Sequence, residues 1–186
     1  CWRAEELANR TVLAPFWGMN LYLLRHAIAV ERGTSGIALD RDRPLTEEGR
    51  TKLLKVARAM AVMELGFSVV FTSPYLRARQ TADLVAAELQ ISTRLRECEH
   101  LAAESRPADL VRFLTRLRPQ PRDVLLVGHE PFLSEFASLL LAGATPLMLE
   151  FKKAGLCKLS ATRLQPAGCA TLEWFLPPKL MALMSR

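Results

Sequence analysis

Short apolar runs alternate along this chain with stretches whose apolar residues recur at helical spacing. Asn20 to Leu24 is one such run, closed by Arg25 and His26, and reads as a buried strand. Ser68 to Thr72 and Asp123 to Val127 repeat the pattern, the latter ending in Gly128-His129. Between them, Leu53, Leu54, Ala57, Met60, Ala61 and Leu65 predict a helix opened by Thr46 and ended by Gly66. Glu47 and Glu48 suit the positive end of that helix. Ser73-Pro74 predicts a second helix, with Ser73 as cap and Pro74 at its first position. Further helices are predicted from Pro107 to Leu117 and from Pro131 onward, where Phe132, Phe136, Leu139 and Leu140 form one face. The segment from Gly155 to Leu176 alternates and predicts two strands around a turn at Pro166 to Gly168.

Strands separated by helices predict parallel pairing and a sheet covered on both faces, a three-layer α/β/α sandwich with a mostly parallel central sheet. Ligands of such sheets bind beyond the carboxyl ends of the strands. Here those ends deliver Arg25-His26, Thr72-Ser73 and Gly128-His129, with Arg77 one helical turn past Ser73. The four charged or titratable groups are therefore expected on one edge of the sheet.

Composition narrows the choices. Half of the 186 residues are apolar and the net charge is +6, which favours anionic partners. The longest uncharged stretch, Phe136 to Leu149, is too short to span a bilayer, so no membrane helix is expected. Cys1, Cys98, Cys157 and Cys169 form no Cys-x-x-Cys pair and are too few for a disulfide scaffold. A reduced cytoplasmic protein is expected. No stacking platform or helix-turn-helix pattern accompanies the basic charge, so nucleic acid is not an expected partner. Residues 1–18 read as an N-terminal extension without a signal-peptide pattern, because Glu5 and Glu6 stand where a basic start is needed. Residues 19–186 read as the working domain.

Four ordered blocks carry a family resemblance. Leu24-Arg25-His26-Ala27 resembles the Arg-His-Gly signature of the histidine phosphatase superfamily, with Ala27 where that signature has glycine. Arg43-Pro44-Leu45-Thr46-Glu47-Glu48-Gly49, Thr72-Ser73-Pro74-Tyr75-Leu76-Arg77-Ala78-Arg79-Gln80-Thr81 and Val127-Gly128-His129-Glu130-Pro131 resemble its following blocks. The resemblance runs from Met19 to the C-terminus, and is strongest to the SixA-type phosphohistidine phosphatases. It implies a phosphoglycerate mutase-like fold and a covalent phosphohistidine on His26. Arg25, Arg77 and His129 would bind the phosphoryl oxygens, with Ser73 as a further phosphate ligand. No metal or cofactor is implied.

These roles suit the chemistry. Phosphoryl transfer needs the charge on three oxygens neutralised, and guanidinium forks match that geometry. A neutral imidazole attacks phosphorus if its other nitrogen is fixed by an acceptor, for which a carbonyl after the strand would serve.

Several residues have plainer readings. A single histidine at a strand end is ordinarily structural, but two of the chain's three histidines stand at such ends within matching blocks. Arg79 is expected on the surface and His100 exposed in a polar loop. Arg43 either reaches the pocket or pairs with Asp42, and Ser73 either touches phosphate or caps a helix. Arg106, Arg112, Arg116, Arg118 and Arg122 form either a docking face for an acidic phosphoprotein or a solvated face.

The proton donor is open. Glu97, Glu99 and Glu104 lie in the right stretch of chain but in no matching block, and the Pro131 that follows Glu130 is expected to aim that side chain away. A phosphohistidine substrate relaxes this need, since its imidazole leaving group has a pKa of about 6.5. The expected substrate is therefore a phosphorylated protein of histidine phosphotransfer type. Small phosphorylated molecules come second, and a catalytically weak phosphate-binding module third.

Overall fold

The computed structural model describes residues 18–143 and 146–185. Apart from Gly18, the expected N-terminal extension lies outside the described residues. In chain order the elements are β1 (Met19–Arg25), α1 (Glu47–Val62), β2 (Val69–Thr72), α2 (Leu76–Glu88), β3 (Leu95–Glu97), α3 (Pro107–Arg116), β4 (Asp123–Gly128), α4 (Phe132–Ala142), β5 (Leu156–Ala161), β6 (Thr171–Leu176) and α5 (Pro178–Met184).

The six described strands form one sheet in the order β3-β2-β4-β1-β5-β6. β1, β2, β3 and β4 pair in parallel, whereas β5 runs antiparallel to both β1 and β6. The central pair, β1 and β4, is in register from Asn20↔Asp123 to Arg25↔Gly128. This is the mostly parallel sheet expected, in the phosphoglycerate mutase-like arrangement.

Both faces are packed, so the β1 run is apolar at nearly every position instead of alternating. Tyr22 and Leu24 point into one core with Leu53, Val56 and Met60 of α1, Val85 of α2 and Met181 of α5. Leu21 and Leu23 point into the other with Leu110 and Leu114 of α3 and Phe132 and Phe136 of α4. Each fully buried Leu or Phe contributes roughly 1.5–3 kcal/mol of transfer free energy.

Two boundaries differ from the sequence reading, and two elements go beyond it. α1 stops at Val62, because Glu64 takes a left-handed conformation (φ 54°) and turns Leu65 back onto the core. Gly66 lies beyond that reversal and does not cap the helix. α2 starts at Leu76 with Tyr75 as its N-cap residue, so Ser73 does not cap it. β3 and α5 had no sequence signal: one has three residues, the other seven, starting at the second of two successive prolines. Among the described residues, no helix is long and apolar enough to cross a membrane.

Candidate active site

β1 and β4 end side by side, and each releases a histidine into the same cleft. The His26 amide donates to the Gly128 carbonyl at 3.0 Å, which extends the ladder one step past β1. The rings of His26 and His129 then lie 5.2 Å apart between centroids. Only 7% of His26 and 2% of His129 is exposed. Arg77, on the first turn of α2, is 3% exposed and closes the group from the β2 side.

The His26 ring is held at both nitrogens. Nδ1–H donates to the Ala27 carbonyl at 2.7 Å, which leaves a lone pair on Nε2. Arg77 Nε–H points at that lone pair from 3.3 Å. Burial drives the His26 pKa down to about 3, with the positive charges of Arg77 and Arg25 acting the same way, while the Ala27 bond opposes them. Burial likewise lowers His129 to about 3, helped by Arg77. Both imidazoles are neutral near pH 7.

The backbone around His26 is clamped. The Ala27 amide donates to Thr81 Oγ1 at 3.1 Å, and that hydroxyl donates to the Arg77 carbonyl at 2.7 Å. From the other side, the Ala154 amide donates to the carbonyls of Arg25 and His26. Ala27 itself is buried and lies outside the left-handed region, so its methyl packs into the core without backbone strain. The departure from glycine in the first block is thus accommodated.

His129 is fixed through Ser73. Ser73 Oγ accepts the Tyr75 amide at 3.3 Å and lies 2.8 Å from His129 Nε2. With the Ser73 O–H donating to Nε2, the proton of the neutral His129 ring sits on Nδ1. That Nδ1 is buried and, among the described residues, has no hydrogen-bond partner. Of Ser73, expected to touch phosphate or cap a helix, the structure shows a hydroxyl bonded to His129. Ser73 is fully buried behind His129 and does not line the cleft.

A cavity of about 330 Å³ opens over the two rings. Arg25, Arg43, Arg77 and Glu130 line it together with the histidines, and Arg32, Glu31 and Lys153 reach its mouth. Arg25 donates through Nη1 to the Phe151 carbonyl at 2.5 Å, and its buried Nε has no partner among the described residues. Unpartnered donors on residues that line a basic cleft suit a tetrahedral oxyanion. Among the described residues, no three His, Cys, Asp or Glu side chains gather to hold a metal ion.

The carboxylates separate cleanly. Glu99 and Glu104 are exposed and off the cavity wall, with Glu104 accepting from the Tyr75 hydroxyl at 2.8 Å. Glu97 pairs with Arg79 at the surface. Glu130 stands on the cavity wall, against the expectation that it points away. Its oxygens accept from the Ser134 hydroxyl at 2.7 Å and the Ser134 amide at 3.2 Å, which swings it back beside α4. Burial pushes the Glu130 carboxyl above its usual range, against the pull of Ser134 and Arg25.

The sequence reading missed Asp40. It sits in a 3-10 turn, Asp40–Asp42, of the polar loop after β1 and binds Arg32, Arg43 and Arg77. Arg43 lines the cavity and pairs with Asp40, not Asp42. His100 is only partly exposed and packs its ring 5.3 Å from that of Phe113. The arginines on and after α3 do not line the cavity, and Arg112 pairs with Asp109.

A basic cleft at the carboxyl edge of an α/β sheet, with two neutral imidazoles side by side, defines a phosphoryl-handling protein of the α/β/α class. Comparison with known proteins narrows this. The sequence profile of the histidine phosphatase superfamily (branch 1) matches residues 21–116. An uncharacterised protein of Picosynechococcus sp. is 38% identical over 150 residues, covering 79% of this chain and 89% of its own. The chain belongs to the histidine phosphatase superfamily and is a phosphoester hydrolase. Its fold is similar to that of the protein histidine phosphatase SixA solved with tungstate (TM-score 0.74, 24% identity, 88% of this chain and 99% of that one). It is also similar to a phosphoglycerate mutase from Bacillus anthracis (TM-score 0.64, 15% identity, 91% and 97%).

Proposed function

We propose that this enzyme is a phosphohistidine phosphatase that takes phosphate from a histidine-phosphorylated signalling or phosphotransfer protein. The observation that carries this is the His26 ring on the cleft wall: Nδ1 is tied to the Ala27 carbonyl, and the Nε2 lone pair meets only the Arg77 Nε–H, a contact the entering phosphoryl group displaces in this reading. In this reading Nε2 attacks phosphorus in line, the P–N bond of the substrate phosphohistidine, protonated on its other ring nitrogen, breaks so that neutral imidazole leaves, and a phosphohistidine forms on His26. The forks of Arg25 and Arg77 and the Nδ1–H of His129 hold the oxygens as charge develops. Water then attacks phosphorus and frees inorganic phosphate and His26.

The preference for a P–N bond rests on the leaving group. A neutral imidazole, whose conjugate acid has a pKa of about 6.5, departs with little help, whereas an alkoxide needs a positioned general acid. Neither histidine ring is bonded to a carboxylate among the described residues. The fold likeness to SixA, solved with the tetrahedral oxyanion tungstate, fits this reading. We take the setting to be cytoplasmic, where buried thiols such as Cys98 and Cys157 stay reduced.

Glu130 favours a second reading, a small-molecule phosphomonoesterase. It is the carboxyl on the cavity wall whose pKa is raised, as a proton donor requires. One experiment separates the two. The protein is incubated with a phosphorylated histidine phosphotransfer domain, and in parallel with phosphomonoesters, with EDTA present, and phosphate release is followed. Release from the phosphodomain alone, abolished in His26→Ala, with acid-labile phosphate trapped on the wild type, supports the first reading. Efficient ester hydrolysis that collapses in Glu130→Gln, with the phosphodomain untouched, overturns it.

A further inference from the structure

We propose that Asp40 is the positioning residue of Arg77, and that its negative charge sets how firmly the phosphate product is held. One Asp40 carboxylate gathers three guanidinium groups. Oδ2 accepts from Arg77 Nη2 at 3.0 Å, while Oδ1 accepts from Arg32 Nε at 2.8 Å and Arg43 Nε at 2.9 Å. The Asp40 carbonyl accepts from Arg77 Nη1 at 2.7 Å. Arg77 is therefore gripped along one edge by a single residue, which turns its Nε–H toward His26 Nε2. The second N–H on each Nη stays available to a phosphoryl oxygen.

The grip is rigid because Asp40 opens a hydrogen-bonded turn, with the Asp42 amide donating to the Leu39 carbonyl at 3.0 Å. Burial alone would raise the Asp40 carboxyl, but Arg77, Arg32 and Arg43 outweigh it and hold the group ionised. Arg32, Arg43 and Arg77 all reach the cavity. Without a counter-charge these like charges would repel one another whenever the cleft is empty. With phosphate bound, the same arginines plus Arg25 face a dianion, and a fully cationic cleft would retain it after hydrolysis. Asp40 answers both demands: it keeps the forks assembled between turnovers and offsets part of their pull on the product.

Asp40→Asn keeps an acceptor and removes the charge. Asp40→Ala removes both. Asp42→Asn makes the same charge change two residues away on an exposed side chain that, among the described residues, pairs only with Arg41, and serves as the control. Phosphate affinity is read by titration calorimetry and by product inhibition, and kcat by phosphate release. We expect Asp40→Asn to tighten phosphate binding about tenfold, and Asp42→Asn to leave it unchanged. Asp40→Ala is expected to lower kcat roughly 10–100-fold through a displaced Arg77, with Asn restoring much of that loss. Phosphate affinity in Asp40→Asn equal to wild type, or matched by Asp42→Asn, overturns the charge role. Unchanged kcat in a folded Asp40→Ala overturns the positioning role, and should that variant fail to fold, Asp40→Asn still decides the proposal. The kcat arm rests on the phosphatase reading, but the calorimetric arm does not. A wild type that binds phosphate and hydrolyses nothing would sink that reading and leave Asp40 to be judged on affinity.

Discussion

Neutral imidazoles at the floor of a cationic cleft tie chemistry to pH in a definite direction. The folded pKa of His26 and of His129 is pushed down to about 3, against about 6.5 for the unfolded chain. Between those values the unfolded chain binds more protons than the folded one, so stability falls as pH drops from about 6.5 toward 3. Each ring contributes at most about 1.4 kcal/mol per pH unit in that window. Urea unfolding at pH 7 and pH 5 should show this, and His129→Gln should flatten the dependence. For the same reason His26 and His129 should put no limb near pH 6.5 into kcat/KM. Ser73 acts through His129, so Ser73→Ala is expected to lower kcat/KM on the order of tenfold, less than loss of a donor that touches the anion. His26, His129, Arg25 and Arg77 were legible because each stands at or just after a strand end inside a matching block. Asp40 and Thr81 were not. Their roles come from a loop and a helix face folding back over His26, and no periodicity encodes that.

Elements carry a different constraint. The amide of Gly49 donates to the Thr46 hydroxyl at 3.0 Å, so the first turn of α1 is capped. The same turn presses on the loop after His26, where the Thr46 amide donates to the Ile28 carbonyl at 3.0 Å. A Cβ on Gly49 would sit 2.1 Å from that carbonyl oxygen. Gly49→Ala should therefore destabilise the fold by about 1–3 kcal/mol, read as a lower urea midpoint, and lower activity by shifting His26. Thr46→Ala should lose about 1 kcal/mol through the cap alone. The apolar runs of β1, β2 and β4 gave those strands directly, because burial on both faces leaves no polar position to confuse the pattern. The end of α1 was misread because Glu64, not a glycine, takes the left-handed turn. Edge strand β3 was invisible since it has three residues, all partly or fully exposed, and pairs on one side only, with β2.

Charge acts on the molecule as a whole. A net charge of +6 and a cleft mouth carrying Arg32 and Lys153 draw anions from solution. Association with an acidic phosphoprotein should slow as salt rises, since the Debye length falls from about 10 Å at 0.1 M to about 3 Å at 1 M. Stopped-flow measurement of kcat/KM against ionic strength checks this, and a flat response would count against steering.

The pairing of Arg25 with Gly128 has a further consequence. His26 and His129 are the next residues on neighbouring strands, so their separation is inherited from the roughly 4.8 Å rungs of the central ladder. The gauge of the reaction is a property of main-chain hydrogen bonding. Side chains on the cleft walls can be exchanged, and the rim reshaped for another substrate, without re-spacing the two rings.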